Sequence, residues 1–210
     1  MSNVTDEQAR ALAQCISGGG VAVLPSDTVY GLCCDPADAA AGARLYEMKG
    51  RAAERPAAVM FFDRGAMLAA LGEVPAAERA ALDALLPGPA TVLIANPGRL
   101  YGPACGPDPA TLGLRLPLLE GALAALRSVG MPFMQSSANL SGGPDARTIE
   151  QVPPEILRGA DLVVDAGELP GTPSTVIDLR RYAREGTWLM LREGALGSAE
   201  VARRLACGGG

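Results

Sequence analysis

Small polar side chains interrupt an apolar stretch near the start of the chain. The segment P-S-D-T (25–28) breaks a buried strand at a proline, and apolar residues resume with V-Y-G-L (29–32). One helix length further on, K-G-R (49–51) places two cations close together. Hydroxyl groups and cations, without a glycine-rich phosphate loop, predict a pocket for a small polar substrate beside an anionic one.

The cations Lys49 and Arg51 lie two residues apart, and Arg55 follows them. In an extended segment, side chains two residues apart point the same way, so Lys49 and Arg51 can reach one anion. Arginine offers forked hydrogen bonds to phosphate, whereas lysine offers a mobile point charge. A solvated basic turn would give the same pattern, so the residues alone leave both interpretations open.

A polar loop, S-S-A-N-L-S-G-G (136–143), follows an apolar strand. Its small residues would let backbone N–H groups approach phosphate oxygens or the edge of a base. Ligands bind at strand ends in open sheets, and P-S-T-V-I-D (173–178) and L-R-E-G (191–194) also place polar residues there. Each segment alone also fits an ordinary turn or strand end.

Arg115 interrupts the otherwise apolar strand L-G-L-R-L-P (112–117). A buried arginine is costly unless it is paired. The sequence therefore predicts that Arg115 either answers an internal carboxylate or faces a ligand, and does not decide between them.

The composition excludes several kinds of chemistry. The 210 residues contain no histidine, which removes Ser-His-Asp and Cys-His catalysis and most zinc sites. The net charge of −5 disfavours non-specific binding to a phosphate backbone. Five cysteines without C-x-x-C spacing, a polar N-terminus and no long apolar run predict a cytoplasmic protein with reduced thiols and no membrane contact.

Short apolar runs and amphipathic segments alternate irregularly, not in strict βαβ order. This pattern predicts an α/β fold, a twisted mixed open sheet with flanking helices. The capping box T-D-E-Q (5–8) begins the first helix, and a long loop is expected at 96–110. The predicted strands are 21–24, 29–34, 57–62, 91–95, 112–116, 132–135, 162–165, 175–179 and 188–192, and the predicted helices are 5–17, 37–48, 75–86, 118–129, 148–157 and 198–205.

Seven of these segments, taken together, resemble the YrdC family of threonylcarbamoyl-AMP synthases. The resemblance covers about residues 8–205 and implies one YrdC-like domain, 1–210, with a flexible tail at 206–210. The segments appear in the family's order and spacing, which makes the set far more specific than any one of them. They are 25–32, 49–51, 87–92, 114–117, 136–142, 173–178 and 191–194.

The resemblance implies a large concave, positively charged cleft and a nucleotidyltransferase activity. The expected reaction joins L-threonine, bicarbonate and ATP into L-threonylcarbamoyl-AMP and releases pyrophosphate. Mg²⁺ would accompany ATP. A separate transferase complex would then modify position 37 of tRNA, so this chain would meet tRNA only indirectly.

The resemblance also assigns roles to particular residues. Lys49 and Arg51 would be catalytic, and no protein metal site is expected. The ATP contacts would be Lys49, Arg51, Arg55, Thr111, Ser137, Asn139 and Arg192, and the threonine contacts would be Thr28, Arg115, Gln135 and Ser174.

This chain departs from the family pattern at three places. Many members have P-T-E-T where this chain has P-S-D-T (25–28), and small residues where it has Cys33 and Cys34. Many also carry a histidine at the position of Met60, so a threonine contact made by that histidine is missing here.

Two other functions share the resemblance. One is a protein of the same fold that binds nucleotide or double-stranded RNA without synthase activity. The other is a carbamoyl transferase that uses carbamoyl phosphate, but the longer hydrogenase-maturation proteins of that kind carry acylphosphatase and zinc-finger segments that have no counterpart in this sequence. Threonine-dependent release of pyrophosphate separates the synthase from the binding protein.

Overall fold

The structure is a computed structural model that describes residues 3–50 and 55–207. Within these residues the strands are β1 (Ala22–Leu24), β2 (Gly31–Cys34), β3 (Ala58–Met60), β4 (Ala90–Ala95), β5 (Thr111–Arg115), β6 (Phe133–Ser137), β7 (Leu162–Val163), β8 (Thr175–Asp178) and β9 (Leu189–Arg192). The helices are α1 (Asp6–Ser17), α2 (Ala39–Met48), α3 (Arg64–Leu71), α4 (Ala76–Leu85), α5 (Gly102–Cys105), α6 (Pro154–Gly159), α7 (Tyr182–Glu185) and α8 (Ser198–Cys207), with 3₁₀ segments at Gly121–Val129 and Ile149–Gln151.

The described strands form one mixed sheet, in the order β7-β1-β2-β6-β3-β5-β4-β8-β9. The pairs β1–β7, β3–β5 and β4–β8 are parallel and the others are antiparallel. The predicted α/β class with a mixed sheet and flanking helices is therefore confirmed.

The two faces of the sheet differ along each strand, because successive side chains point to opposite sides. On β5, Leu112 and Leu114 belong to the larger apolar cluster, whereas Gly113 and Arg115 face the other way. On β3, Val59 joins that larger cluster and Met60 joins a second one packed beneath α1. The second face is thus apolar near β1 and polar near β5 and β8.

The first helix begins as predicted. The Thr5 hydroxyl accepts a hydrogen bond from the Gln8 amide at 3.2 Å, and the Gln8 side-chain oxygen accepts one from the Thr5 amide at 2.9 Å. This reciprocal pair satisfies two amides that helix formation leaves unbonded. The apolar side of α1, with Leu12 and Ile16 fully buried, then packs on the second face.

Several predicted elements need correction. The loop expected at 96–110 contains α5, the helix expected at 148–157 is a 3₁₀ segment followed by α6, and α7 was not predicted. Helix α3 was not predicted, although Asp63 caps it by accepting from the Ala66 amide at 2.8 Å. The helix predicted at 118–129 is a 3₁₀ segment that begins only at Gly121, whose φ of 53° interrupts an α-helical path. Helix α8 continues to Cys207, so residues 206 and 207 are helical and only 208–210 of the predicted tail lie outside the described residues.

Among the residues that the structure describes, no helix has both the length and the apolar character to cross a membrane.

Candidate active site

A cleft of about 480 Å³ opens on the polar half of the second face. Strands β3, β4, β5, β6, β8 and β9 contribute its walls. Its size falls within the range typical of small-molecule sites. The cleft that the family resemblance predicted is therefore present, and six predicted site residues line it: Thr111, Arg115, Gln135, Ser137, Ser174 and Arg192.

Arg115 lies in the wall of the cleft and is also paired with a carboxylate. Its Nη2 donates to Asp27 Oδ1 at 2.6 Å and to Thr28 Oγ1 at 3.2 Å. Asp27 is held further by the Leu118 amide, which donates to Oδ2 at 2.9 Å. The Arg115 Nε has no hydrogen-bond partner although it is buried. Arg115 therefore pairs with an internal carboxylate and also faces a cleft where a ligand could bind, so the two alternatives predicted from the sequence are compatible.

Burial controls the electrostatics of this pair. Loss of solvent raises the pKa of Asp27, and the Arg115 charge and the Leu118 amide offset part of that rise. Burial lowers the pKa of Arg115, which Asp27 counters and the nearby Arg192 charge reinforces. The cleft therefore holds two neighbouring cations, and an anionic ligand would relieve their repulsion.

The P-S-D-T turn places Thr28 behind Arg115. Ser26 Oγ donates to the Val29 carbonyl at 2.7 Å, so the 3.0 Å contact between Ser26 and Thr28 uses the Thr28 hydrogen. The Thr28 oxygen is then free to accept from Arg115. Thr28 is fully buried and does not line the cleft. Its visible role is to orient Arg115, and its predicted contact with threonine stays a prediction.

Ser174 and Arg192 form the opposite wall. Arg192 Nη2 donates to the Ser174 carbonyl at 2.7 Å and lies 3.3 Å from its hydroxyl, which is 2.8 Å from Thr91 Oγ1. Residue 194, the glycine of L-R-E-G, has no room for a side chain, because a Cβ there would lie 2.7 Å from the carbonyl carbon of Ser174. The missing side chain lets the two polar segments pack together.

Gln135 reaches the cleft because a glycine lies beneath it. It stands opposite Cys33 in the β2–β6 register, two residues from the pairing of Ser137 with Gly31 and on the same face. A Cβ on Gly31 would lie 2.5 Å from Gln135 Nε2. Gly31, the glycine of the T-V-Y-G segment, thus provides the space that the Gln135 amide occupies.

Lys49 is buried at the end of α2, outside the lining of the cleft. Its Nζ donates to the Asn139 carbonyl at 2.7 Å, to Asn139 Oδ1 at 3.0 Å and to the Ser137 carbonyl. Ser137 Oγ also donates to Asn139 Oδ1, at 2.7 Å. Lys49 therefore holds the polar loop after β6, and its predicted contact with triphosphate stays a prediction.

None of the remaining predicted contacts that the structure describes lines the cleft. Arg55 is exposed and Asn139 is buried in the loop, and neither lines the cleft. Arg51 lies outside the described residues. Met60 is fully buried and pairs in register with Arg115, with its side chain in the apolar cluster under α1.

Sequence reasoning missed Arg180, Thr91 and Asp108, which also line the cleft. Arg180 follows β8 by two residues, just as Arg192 ends β9. Its position after an apolar strand was therefore a usable signal. Thr91 lies in the 87–92 segment but was assigned no role, and Asp108 carried no such signal because it lies in a long loop.

Comparison with known proteins gives consistent matches. The model of the Sua5/YciO/YrdC family, described as telomere recombination, matches residues 14–194. A putative threonylcarbamoyl-AMP synthase of Mycobacterium leprae is 32% identical, covering 95% of this chain and 90% of that protein. The threonylcarbamoyl-AMP synthase of Thiobacillus denitrificans is 35% identical, covering 77% and 85% respectively.

Solved structures share the fold. The crystal structure of Pyrococcus abyssi Sua5 complexed with L-threonine superposes with a TM-score of 0.81 at 27% identity, covering 97% of this chain and 60% of that one. This chain thus spans about three fifths of the length of that Sua5. Escherichia coli YciO superposes with a TM-score of 0.78 at 23% identity, which supports the fold alone. With the family match extending over most of its length, this chain belongs to the Sua5/YciO/YrdC family.

Proposed function

We propose that this chain synthesises L-threonylcarbamoyl-AMP from L-threonine, bicarbonate and ATP. The observation that carries the proposal is the Arg115 guanidinium, buried in the wall of the cleft with its Nε unpartnered and Arg192 nearby. This arrangement suits a carboxylate beside a phosphate. The names of the relatives and the L-threonine complex of Pyrococcus abyssi Sua5 support the same substrates.

The amino-acid subsite would be built around Arg115. Its guanidinium is fixed by Asp27 and Thr28, so little conformational freedom is lost when it binds the threonine carboxylate. Gln135 and Ser174 line the same cleft and would contact the remaining polar groups of threonine. Thr28 lies behind the guanidinium and would act mainly through it.

The nucleotide subsite would use the other polar walls. Arg192 is fixed by Ser174, and Thr111 and Ser137 open to the same cleft. Asn139 and Lys49 would act through the loop that they stabilise. Arg51 and Arg55 would complete the set of charges around the triphosphate.

The proposed reaction forms two bonds in sequence. The threonine amine attacks the carbon of bicarbonate, water leaves, and a carbamate results. A carbamate oxygen then attacks the α-phosphorus of ATP as the bond to the pyrophosphate oxygen breaks. Negative charge grows on the phosphoryl oxygens and on the leaving group, where fixed cations stabilise it most. No covalent enzyme intermediate is needed, in agreement with a chain that lacks histidine.

Mg²⁺ would come with the nucleotide. Among the described residues there is no cluster of three acidic, histidine or cysteine side chains that could hold a metal ion. In nucleotide-binding enzymes, Mg²⁺ usually keeps several waters and is held by substrate phosphates with only one or two carboxylates. Bound there, the ion would neutralise charge on the triphosphate.

The test is threonine-dependent release of pyrophosphate, with the adenylate identified by mass. We expect product only when ATP, bicarbonate and L-threonine are all present. Arg115→Met should abolish it, whereas Arg10→Met, on the exposed side of α1, should not. ATP binding without threonine-dependent pyrophosphate release would instead favour a nucleotide-binding relative that is not a synthase.

The proposed product is a mixed anhydride and needs a separate enzyme to consume it. We expect a transferase complex to carry the threonylcarbamoyl group to tRNA, so this chain would contact tRNA only indirectly. The net charge of −5 supports that division of roles over direct RNA binding.

A further inference from the structure

A second arginine–aspartate pair, Arg180 and Asp178, lies at the wall of the cleft, and its arginine belongs to none of the motif segments. Arg180 Nε and Nη2 donate to the Asp178 carboxylate at distances of 2.6–3.1 Å. The Asp178 side chain is only 9% exposed, and the Arg180 backbone amide also donates to it, at 3.0 Å. One edge of the Arg180 guanidinium is therefore fixed, as Asp27 fixes one edge of Arg115.

The free edge of Arg180 faces a second carboxylate. Its Nη1 donates to Thr111 Oγ1 at 3.0 Å and lies 3.6 Å from Asp108 Oδ2. The Thr111 hydroxyl in turn donates to the same Asp108 oxygen at 2.6 Å. One guanidinium and one hydroxyl thus converge on a single anionic oxygen at the wall of the cleft.

Apart from Arg180 and Thr111, the Asp108 carboxylate accepts a hydrogen bond from the Ala110 amide, which does not need a charged acceptor. Its side chain is 56% exposed and lies in the loop between β4 and β5. The Asp108 oxygen carries negative charge, accepts a hydrogen bond from the Thr111 hydroxyl and lies within ion-pair distance of Arg180, and a phosphoryl oxygen could make the same contacts. The carboxylate therefore resembles an internal substitute for an anionic ligand group.

We propose that Arg180 and Thr111 bind a phosphoryl oxygen of the nucleotide, and that Asp108 occupies these donors until the nucleotide replaces it. The identity of the ligand as ATP rests on the proposed function. Arg180 is then a specificity-determining residue for the nucleotide, and Asp108 weakens nucleotide binding by competition.

Distance along β5 separates this subsite from Arg115. Thr111 and Arg115 are the two ends of the strand, four residues apart on the same face. At about 3.3 Å per residue, their Cα atoms lie roughly 13 Å apart. One threonine carboxylate cannot meet both, whereas a nucleoside triphosphate is long enough to bridge this span.

The test is calorimetric binding of a non-hydrolysable ATP analogue, with L-threonine binding measured separately. Arg180→Gln should weaken binding of the analogue about tenfold or more, as expected for a lost charge-assisted hydrogen bond. Asp108→Asn should strengthen it about two- to fivefold, because an exposed competing charge has a modest effect. Threonine affinity should not change in either variant.

Matched controls remove the same charges elsewhere. Arg181→Gln alters the neighbouring exposed arginine, and Glu120→Gln alters an exposed acid away from the cleft. Both should leave binding of the analogue unchanged. Because Arg180→Gln leaves Asp178 unpaired, Asp178→Asn/Arg180→Gln serves as a second variant and should show the same weak binding.

Two results would overturn the inference. One is unchanged binding of the analogue in both Arg180 variants, and the other is unchanged or weaker binding in Asp108→Asn. These outcomes are independent of the proposed reaction. If the protein forms the product but binds the analogue equally well without Arg180, only the inference is refuted. If binding depends on Arg180 but no product forms, only the proposed synthase activity is refuted.

Discussion

The buried pair of Arg115 and Asp27 is better explained by ligand binding than by stability. Their side chains are only 4% and 8% exposed, and two such charges lose most of their hydration. A buried ion pair is often no more stabilising than apolar side chains of similar volume. Here the pair, together with Thr28, holds a guanidinium in one orientation at the wall of a cleft. We therefore interpret the pair as a means of orienting a group that lines the cleft, more than as a source of stability.

Removing one charge of this pair should be more harmful to stability than removing both. Arg115→Met leaves Asp27 buried without its cation and should lower the free energy of unfolding by about 3–5 kcal/mol. Asp27→Asn/Arg115→Met should recover most of that loss, because no lone charge remains. Urea unfolding measures both values, and the synthase assay should find neither variant active. A double variant no more stable than Arg115→Met would contradict this account.

A methyl group at Gly194 should disturb the cleft without touching a ligand. The added carbon would lie 2.7 Å from the carbonyl carbon of Ser174, so the segment that fixes Arg192 must move. Overpacking of this kind costs about 1–3 kcal/mol. We expect Gly194→Ala to lower the melting temperature and to raise the KM for ATP and for threonine.

Gly102→Ala is the matched control for Gly194→Ala. A Cβ on Gly102 would have no neighbouring atom within 4 Å, and its φ is not in the left-handed region. Its melting temperature and both KM values should stay close to those of the unaltered protein. Equal effects of the two substitutions would show that crowding at Ser174 is not the cause.

The T-V-Y-G segment also fixes the loop that leads to Ser174. The Tyr30 hydroxyl lies 2.7 Å from Asp165 Oδ1 and from the Gly167 carbonyl, and it accepts from the Ala166 amide at 3.0 Å. The Gly171 amide then donates to the Thr28 carbonyl at 2.9 Å. The segment that leads into β2 thus positions both the buried turn behind Arg115 and the approach to the opposite wall of the cleft.

Local signals predicted elements well, and contacts distant in sequence account for what they missed. The Thr5 and Gln8 side chains interact within one turn, so the start of α1 could be predicted from spacing alone. The contacts of Lys49 could not be predicted in this way, because its partners Ser137 and Asn139 are about ninety residues away. The contact between Arg180 and Thr111 belongs to the same class, since the β5–β4–β8 order of the sheet brings the two residues together. The residue types indicated polar strand ends, and the topology decided which of them meet.

An ion pair between Arg44 of α2 and Asp161, the residue before β7, should make stability depend on pH. Asp161 accepts from Arg44 at 2.6 Å and from the Val21 amide at 2.8 Å, and these contacts lower the pKa of Asp161. The stabilisation is complete above the ordinary aspartate pKa of about 3.9 and is lost as the pH falls through the lower folded value. Because both side chains are about two fifths exposed, solvent screening keeps it below about 1 kcal/mol.

Urea unfolding of Asp161→Asn at two pH values tests this dependence. The variant should be less stable than the unaltered protein at pH 7, and the difference should shrink by pH 3. The same difference at both pH values would show that ionisation of Asp161 is not the source of the stabilisation.

The distribution of charge differs between the cleft and the chain as a whole. The sequence carries 23 acidic and 18 basic residues, yet Arg115, Arg180 and Arg192 all line one cleft. A general negative charge disfavours long nucleic acids, whereas a local group of arginines can bind one small anion by short-range contacts. This contrast fits a chain that acts on a free nucleotide.

Because the described strands form a single sheet, ligand binding at the cleft should stabilise the whole chain. We expect one calorimetric transition, which also tests the predicted single domain. At 100 times its Kd, a ligand adds about 2.7 kcal/mol to the free energy of unfolding, or roughly 5–11 °C in Tm for a chain of this size. The ATP analogue should raise Tm in this way for the unaltered protein and for Arg115→Met, whereas threonine should raise it only for the former. Two transitions, of which only one responds to ligand, would show that part of the sheet unfolds independently of the cleft.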